Sequence, residues 1–350
     1  MSSTHPPQNA VRAQRIAKGW SQQQLADRTG LSRAGISAVE SGRLAPSVTA
    51  ALALSRVLGS SVEELFAPPA AAAESAVAWA VEPQAPQPRF WQARVGSHLF
   101  AYPVGEDTPQ PDWHDGVFRG AFRGTPPEIA ERTLVIAGCD PAAGFLATEY
   151  ARQFHFRLIV LRRSSRDALD LLSAGKVHAA GLHLGRPGAR SENAKIARLR
   201  LGKDCRLVHL ARWEEGLALG SRLTVSSVQS VARSDAHWVG REAGSGARQC
   251  QDEILAGKPA PRRIAYDHRA VAAAVKCGWA DVGPCVRLAS EESGLRFLKI
   301  SDKDYDLCFP VELEHDPRIA ALLATLRSRA YRARLSELPG YSTRHTGELA

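Results

Sequence analysis

The chain has 350 residues, 44% of them hydrophobic and 23% charged, which is long enough for two or three domains and too apolar for disorder by composition. Its formal net charge of +9 favours a polyanionic partner such as nucleic acid, a statement about association and not about fold. The opening Met1-Ser2-Ser3-Thr4-His5-Pro6-Pro7 lacks the basic start and apolar core of a signal peptide. No run approaches the ~20 apolar residues of a bilayer span, so the expected location is cytoplasmic, with no membrane partner. Six cysteines (139, 205, 250, 277, 285 and 308) form no CxxC pair. No zinc knuckle and no metal site is therefore expected, and in a reducing compartment all six read as small buried hydrophobes. Cys277 follows the basic Lys276.

In chain order, residues 8–66 read as short helices with tight turns. Gln22 opens a two-helix unit whose residues meet several constraints at fixed offsets. Leu25 is a core contact, and Ala26 is small enough to let two helices cross. Gly30 falls at a turn that needs left-handed backbone, and Leu31 plugs it. Ser32 is a natural N-cap, and Ile36 and Val39 point back to the core at i and i+3. Val11 and Ile16 supply a helix upstream. Downstream, Pro46-Ser47 opens a helix carrying Leu52, Leu54, Val57 and Leu58, which Gly59 ends before Val62, Leu65 and Phe66 close the bundle.

Residues 67–88 are Ala/Pro-rich and read as a linker. Residues 89–129 form an extension whose Arg89–Val104 segment alternates like a β-hairpin turning at Gly96-Ser97. It is expected to pack on the following domain or to pair with another subunit. From 130 the pattern becomes strand, helix, strand, helix, strand, over 134–137, 142–154, 157–161, 166–174 and 177–182. That order implies an α/β domain with parallel pairing and right-handed crossovers.

Three segments of this domain carry chemistry. Cys139-Asp140 follows a strand and precedes a helix, the place where ligands bind in open α/β folds, although Asp140 also reads as the cap of the helix near Ala142. Ser164-Ser165 occupies the same kind of position. Arg241-Glu242-Ala243-Gly244-Ser245-Gly246-Ala247-Arg248 combines glycines, a hydroxyl and two arginines, the parts of an anion cradle. His183 at a strand end and His268 after Asp267 read either as backbone partners or as ligand contacts.

Trp20-Ser21-Gln22, Leu25-Ala26, Ile36-Ser37 and Glu40-Ser41-Gly42-Arg43 together resemble the Cro/C1-type (XRE) helix-turn-helix family over about residues 8–66. The resemblance implies a five-helix DNA-binding head whose second motif helix, Ser32–Glu40, enters the major groove. It makes Gln22, Gln23, Ser32, Arg33, Ala34, Gly35, Ser37 and Arg43 the DNA-contact candidates. Among them Arg33 is the base reader, able to hold guanine in a bidentate contact.

The later segments, taken with Trp213-Glu214-Glu215-Gly216, Ala280-Asp281-Val282-Gly283, Tyr305-Asp306-Leu307 and Gly340-Tyr341, resemble the periplasmic-binding-protein-like domain related to molybdate-binding proteins, over about 130–345. That implies a two-lobed type II fold. Lobe 1 spans about 130–212 and 295–345, lobe 2 about 213–294, and a ligand would lie between them. The ligand-contact candidates carried over by position are Cys139, Asp140, Ser164, Ser165, His183, Arg241, Ser245, Gly246, Arg248 and His268. Ala247 stands where the family often has Thr.

The whole reads as a transcription regulator and homodimer that binds double-stranded DNA and senses a small oxyanion, such as molybdate or tungstate, or a small metabolite. The alternative is a constitutive DNA-binding regulator with a degenerate cleft. An enzyme is not expected: no Gly-x-Ser-x-Gly elbow is present, no catalytic residue is assigned, and no cofactor is called for beyond a bound oxyanion.

Overall fold

A computed structural model describes residues 9–66, 77–105, 113–122, 128–185, 190–202 and 204–349. Its contacts divide the chain into two compact units, residues 1–76 and 77–350. Of the expected linker, residues 67–76 lie outside the described residues, while 77–88 belong to the second unit.

The first unit consists of α1 (Val11–Ala17), α2 (Gln22–Thr29), α3 (Arg33–Glu40), α4 (Val48–Leu58) and α5 (Val62–Phe66). Local chemistry sets its boundaries. Ser21 and Gln24 form a capping box at the start of α2, and Gly30 ends that helix at φ 71°. Ser32 caps α3 by accepting from Gly35 N–H, Ser47 caps α4, and Gly59 ends α4 in left-handed conformation. Val11, Leu25, Ala26, Ile36, Val39, Leu54, Leu58 and Leu65 form one buried core. Each large aliphatic side chain in it contributes roughly 1.5–3 kcal/mol. Ile16 and Leu52, which the sequence pattern groups with the bundle's apolar residues, are exposed.

The second unit opens with β1 (Ala78–Trp79), β2 (Arg89–Val95), β3 (His98–Pro103) and β4 (Gly116–Val117), in sheet order β1-β3-β2-β4. The hairpin turns at Gly96-Ser97 as its alternation requires. Trp91, Ala93, Val95, Phe100 and Tyr102 share a core with Val135, Ala137, Ile159 and Leu161. The hairpin thus packs on the α/β domain of its own chain. After α6 (Glu128–Glu131) come β5 (Thr133–Gly138), α7 (Ala143–Phe154), β6 (Arg157–Arg162), α8 (Ser165–Ser173), β7 (Ala179–Leu182) and α9 (Arg190–Leu201). β5 pairs in parallel with both β6 and β7.

Next is the 15-residue β8 (Cys205–Leu219), followed by α10 (Val228–Arg233), β9 (Val239–Arg241), α11 (Gly246–Ile254), β10 (Arg263–Ala265), α12 (His268–Lys276), β11 (Val282–Val286) and α13 (Arg287–Glu292). The 15-residue β12 (Arg296–Pro310) returns antiparallel along β8, and α14 (Pro317–Arg327), α15 (Arg329–Leu335) and β13 (Tyr341–Ser342) complete the chain. The main sheet runs β11-β8-β12-β7-β5-β6, with β13 against β8. β8 and β12 serve both lobes. The Leu307–Cys308 end of β12 pairs with β7, whereas Glu215–Leu219 of β8 pairs with β11. No helix among the described residues is long and apolar enough to cross a membrane.

Candidate functional site

On the head, α3 presents Arg33 and Ala34 to solvent, Gly35, Ser37 and Ala38 half-buried beside them, and Ile36 and Val39 to the core. Arg43, just past the helix, is exposed, with its Nε on Ser41 Oγ at 2.9 Å. The Gln23 amide reaches Asp27 at 2.8 Å. Gln22, one of the DNA-contact candidates, donates to Glu40 Oε2 at 2.8 Å, and Arg15 holds the same carboxylate at 2.5 and 3.1 Å. Gln22 therefore ties the start of α2 to the end of α3.

In the second unit, the ends of β5, β7 and β9 and the start of α12 bring Cys139, His183, Arg241 and His268 together, all buried. Cys139 Sγ lies 3.1 Å from His183 Nε2. Arg241 Nη1 lies 3.2 Å from His268 Nδ1. The ring centroids of His183 and His268 are 6.1 Å apart, so lobe 1 and lobe 2 face each other here. Gly246 permits the approach, since a Cβ there would stand 2.6 Å from the His183 carbonyl oxygen and 2.8 Å from its Nδ1. Arg162 to Asp267 at 3.3 Å and Arg269 to the Pro141 carbonyl at 3.2 Å also join the lobes.

The remaining expected contacts have other partners. Ser164 caps α8, accepting from Asp167 N–H and donating to its carboxylate. Ser165 Oγ accepts from His183 N–H at 3.2 Å. Ser245 caps α11 and donates to the Glu242 carbonyl. Asp140 accepts from Ala142 N–H at 2.8 Å and from the Tyr341 hydroxyl at 2.6 Å, so one of its oxygens is taken up in holding the loop. Arg248 turns to Asp252 at 2.7 Å and to the Arg241 carbonyl at 3.1 Å. The expected convergence of two free arginines on one anion is thus not the arrangement found. Arg241 is in the cluster with Glu242 as its counter-ion, at 2.8 and 2.9 Å, and Arg248 lies along α11.

β8 and β12 add residues that the sequence reading does not assign to the site. Trp213 and Glu215 are buried on β8, and Tyr305 and Lys303 on β12. Trp213 stacks on Tyr305 at 4.6 Å and meets His183 at 5.3 Å and His268 at 6.1 Å, closing a ring of aromatic groups. Glu215 Oε1 is 3.9 Å from His183 Nδ1. The signal was a pair of acidic residues inside the apolar run from Leu207 to Leu219.

Buried atoms in this group have no hydrogen-bond partner among the described residues: His183 Nδ1, His268 Nε2, Trp213 Nε1 and both oxygens of Glu215. Burial, then the charges of Arg241 and Lys303, push His183 down to about 3. Burial, Arg241 and His183 take His268 well below its usual value. Burial raises Glu215, and it pushes the Cys139 thiol up to about 12. Both imidazoles are therefore neutral and the sulfur keeps its hydrogen. Of the six cysteines, Cys277 is exposed, contrary to the uniform burial expected. It follows the last residue of α12.

The family model described as a PBP superfamily domain matches residues 147–327, and a helix-turn-helix model matches 11–65. The chain is 27% identical over 226 residues, 62% of its length and 73% of the other's, to the uncharacterized protein YvgK of Bacillus subtilis (strain 168). Among solved structures it is similar to a putative phosphate transporter substrate-binding protein from Clostridium perfringens, at 12% identity and TM-score 0.47, covering 59% of this chain and 97% of that one. It is also similar to a tungstate transporter structure from Geobacter sulfurreducens, at 11% identity and TM-score 0.43, covering 59% and 98%.

Proposed function

The chain belongs to the PBP superfamily domain family, and from that premise we propose that it is a ligand-responsive, DNA-binding transcription regulator. The observation that carries the reading is the meeting of His183 from lobe 1, Trp213 and Glu215 from a strand shared by both lobes, and His268 from lobe 2, with unpartnered polar atoms on all four. A ligand held between the lobes stabilises the closed arrangement over any other. Only that differential affinity can alter DNA binding: a tenfold effect needs about 1.4 kcal/mol of coupling.

The ligand is a small oxyanion or oxygen-rich metabolite held by neutral N–H donors. Such donors bind anions with hydrogen bonds instead of net charge. Arg33 is the single strong base reader on α3, so useful affinity calls for two heads on one DNA site, and the protein acts as a homodimer. The exposed apolar row Leu44, Val48 and Leu52 supports a second copy as its cover. The chemistry is sensing and not catalysis by a thiolate, since burial keeps the Cys139 thiol un-ionised.

The test is footprinting of the full chain on its own promoter, repeated across a panel of oxyanions and small carboxylates. A protected site of two half-sites, with occupancy that changes tenfold with one ligand, is the expected result. A protected site indifferent to every ligand would favour a constitutive regulator.

A further inference from the structure

β9 and β10 run in parallel, so their two ends give lobe 2 two different faces. Arg241 at the carboxyl end of β9, and His268 just after the same end of β10, lie in the cleft. Trp238 and Arg262, which immediately precede the two strands, mark the opposite end. A cavity of about 430 Å³ opens there, within the ~300–1,000 Å³ of small-molecule sites. None of the residues that line it belongs to the cleft.

Two kinds of side chain meet in this cavity. Trp238, Trp279 and Pro261 give it an apolar wall, and Lys258, Arg262 and Arg263 give it positive charge, with no carboxylate in the lining. Trp238 is half-buried and packs into the apolar cluster of β8, α10 and β11, whereas Trp279 is 68% exposed. Arg263 Nη1 donates to the Trp279 carbonyl at 2.8 Å, which ties the cationic loop to the segment that carries the exposed indole. Lys258 and Arg262 are exposed and have no carboxylate partner among the described residues. His237, also in the lining, is engaged with Asp281 through its backbone N–H at 2.9 Å and its ring at 3.1 Å.

We infer that this cavity is a second binding site, for a nucleotide whose planar base lies on the Trp279 indole and whose phosphate is held by Lys258 and Arg262. An indole face stacks on any base, because every base has a π-face. Arginine matches phosphate oxygens with two parallel N–H groups, and lysine adds a point charge. An uncharged aromatic compound would leave three cations unused, and inorganic phosphate would leave the indoles in water. An apolar protein surface would have to desolvate those cations without compensation. A free nucleotide and an unpaired stretch of nucleic acid offer the same chemistry, and the experiment separates them. The inference does not depend on what the cleft binds.

The experiment is calorimetric titration of the full chain with deoxyadenosine monophosphate, deoxyadenosine, inorganic phosphate and a short oligodeoxyadenylate. The monophosphate or the oligonucleotide should bind saturably, with deoxyadenosine and phosphate each at least tenfold weaker. An oligonucleotide that binds tighter than the monophosphate makes an unpaired strand the source, and one that binds no tighter makes it the free nucleotide. Trp279→Ala and Arg262→Ala should each lower the affinity roughly tenfold or more, with the wild-type melting temperature kept because both side chains are exposed. Trp279→Phe, which keeps an aromatic face, should stay within threefold of the wild type. Deoxyadenosine or phosphate binding as tightly as the nucleotide would overturn the inference. Binding unchanged in both alanine variants, which would place the oligonucleotide on the head or the nucleotide in the cleft, would overturn it too. So would the absence of saturable binding by either nucleotide probe, and none of these results alters the footprinting test of the cleft.

Discussion

Arg241 on β9 donates to His268 on α12 at 3.2 Å, and both carboxylate oxygens of Glu242 hold the rest of its guanidinium. Lobe 2 therefore offers the cleft an oriented imidazole N–H and keeps its buried cation paired. Removing one partner of such a pair typically costs ~3–5 kcal/mol, because the other charge is left without compensation. Arg241→Ala should accordingly lower the melting temperature of the second unit by several degrees while leaving the head's helicity in place. Scanning calorimetry with far-ultraviolet dichroism checks this, and an unchanged melting curve would mean that the pair does not hold the lobe together.

Gly30 ends α2 at φ 71°, with nothing within 4 Å of where its Cβ would stand. Substitution is therefore strained by backbone conformation and not by crowding. A β-branched residue in that conformation costs ~1–3 kcal/mol. Gly30→Val should abolish DNA binding in a gel-shift assay while the second unit keeps its melting temperature. Retained DNA affinity would show that the turn tolerates the strain.

The head was legible because its determinants are local. Gly30, Ser32 and Ile36 act within one or two helical turns, so spacing alone places them. The hairpin turn at Gly96-Ser97 is legible for the same reason. The cleft was legible only in part. A serine at a helix start, such as Ser164 or Ser245, reads equally as a cap or as a ligand contact, and here both are caps. Glu215 is marked locally only as one of two acids in a largely apolar strand, and its meeting with His183, Arg241 and His268 depends on the pairing of β8 with β11 and β12, segments distant in sequence. Arg248 was misplaced because a side chain at the first turn of a helix has several directions open to it, and the chain supplies Asp252 four residues on as its partner.

Arg33 and Arg43 should separate base reading from phosphate contact. Arg33 projects from the first turn of α3, where groove-entering helices meet base edges. Arg33→Ala should relax sequence preference at one position of each half-site by ~1–3 kcal/mol. Arg43, exposed past the helix end, should when changed to Ala weaken binding to all sequences alike and reduce the salt slope by about 1. Salt titrations on specific and scrambled duplexes distinguish the two. Identical effects from both variants would remove Arg33 from the base-reading role.

His178 should make stability fall in mild acid. Its Nδ1 accepts from Val135 N–H at 3.0 Å and its Nε2–H donates to the Arg94 carbonyl at 3.0 Å, so both ring nitrogens are engaged and the neutral form is locked in. Burial, then the nearby Arg318 guanidinium, push it down to about 3. The unfolded chain carries a histidine near its ordinary value of ~6.5 and so binds more protons between those limits. Stability from this residue is therefore present above about pH 6.5 and is lost as pH falls toward 3. His183 and His268 are lowered as well and act in the same direction, whereas Glu215 and Asp140 are raised and act in the opposite one, so the wild-type slope alone is a sum. A difference isolates His178. Asn at 178 can still accept from Val135 N–H but does not titrate. Between pH 7 and pH 5 the wild type should lose about 2 kcal/mol more stability than His178→Asn, since each tenfold change in proton activity contributes ~1.4 kcal/mol per proton. Urea unfolding at the two pH values measures both, and parallel losses would show that His178 is not held neutral in the folded protein.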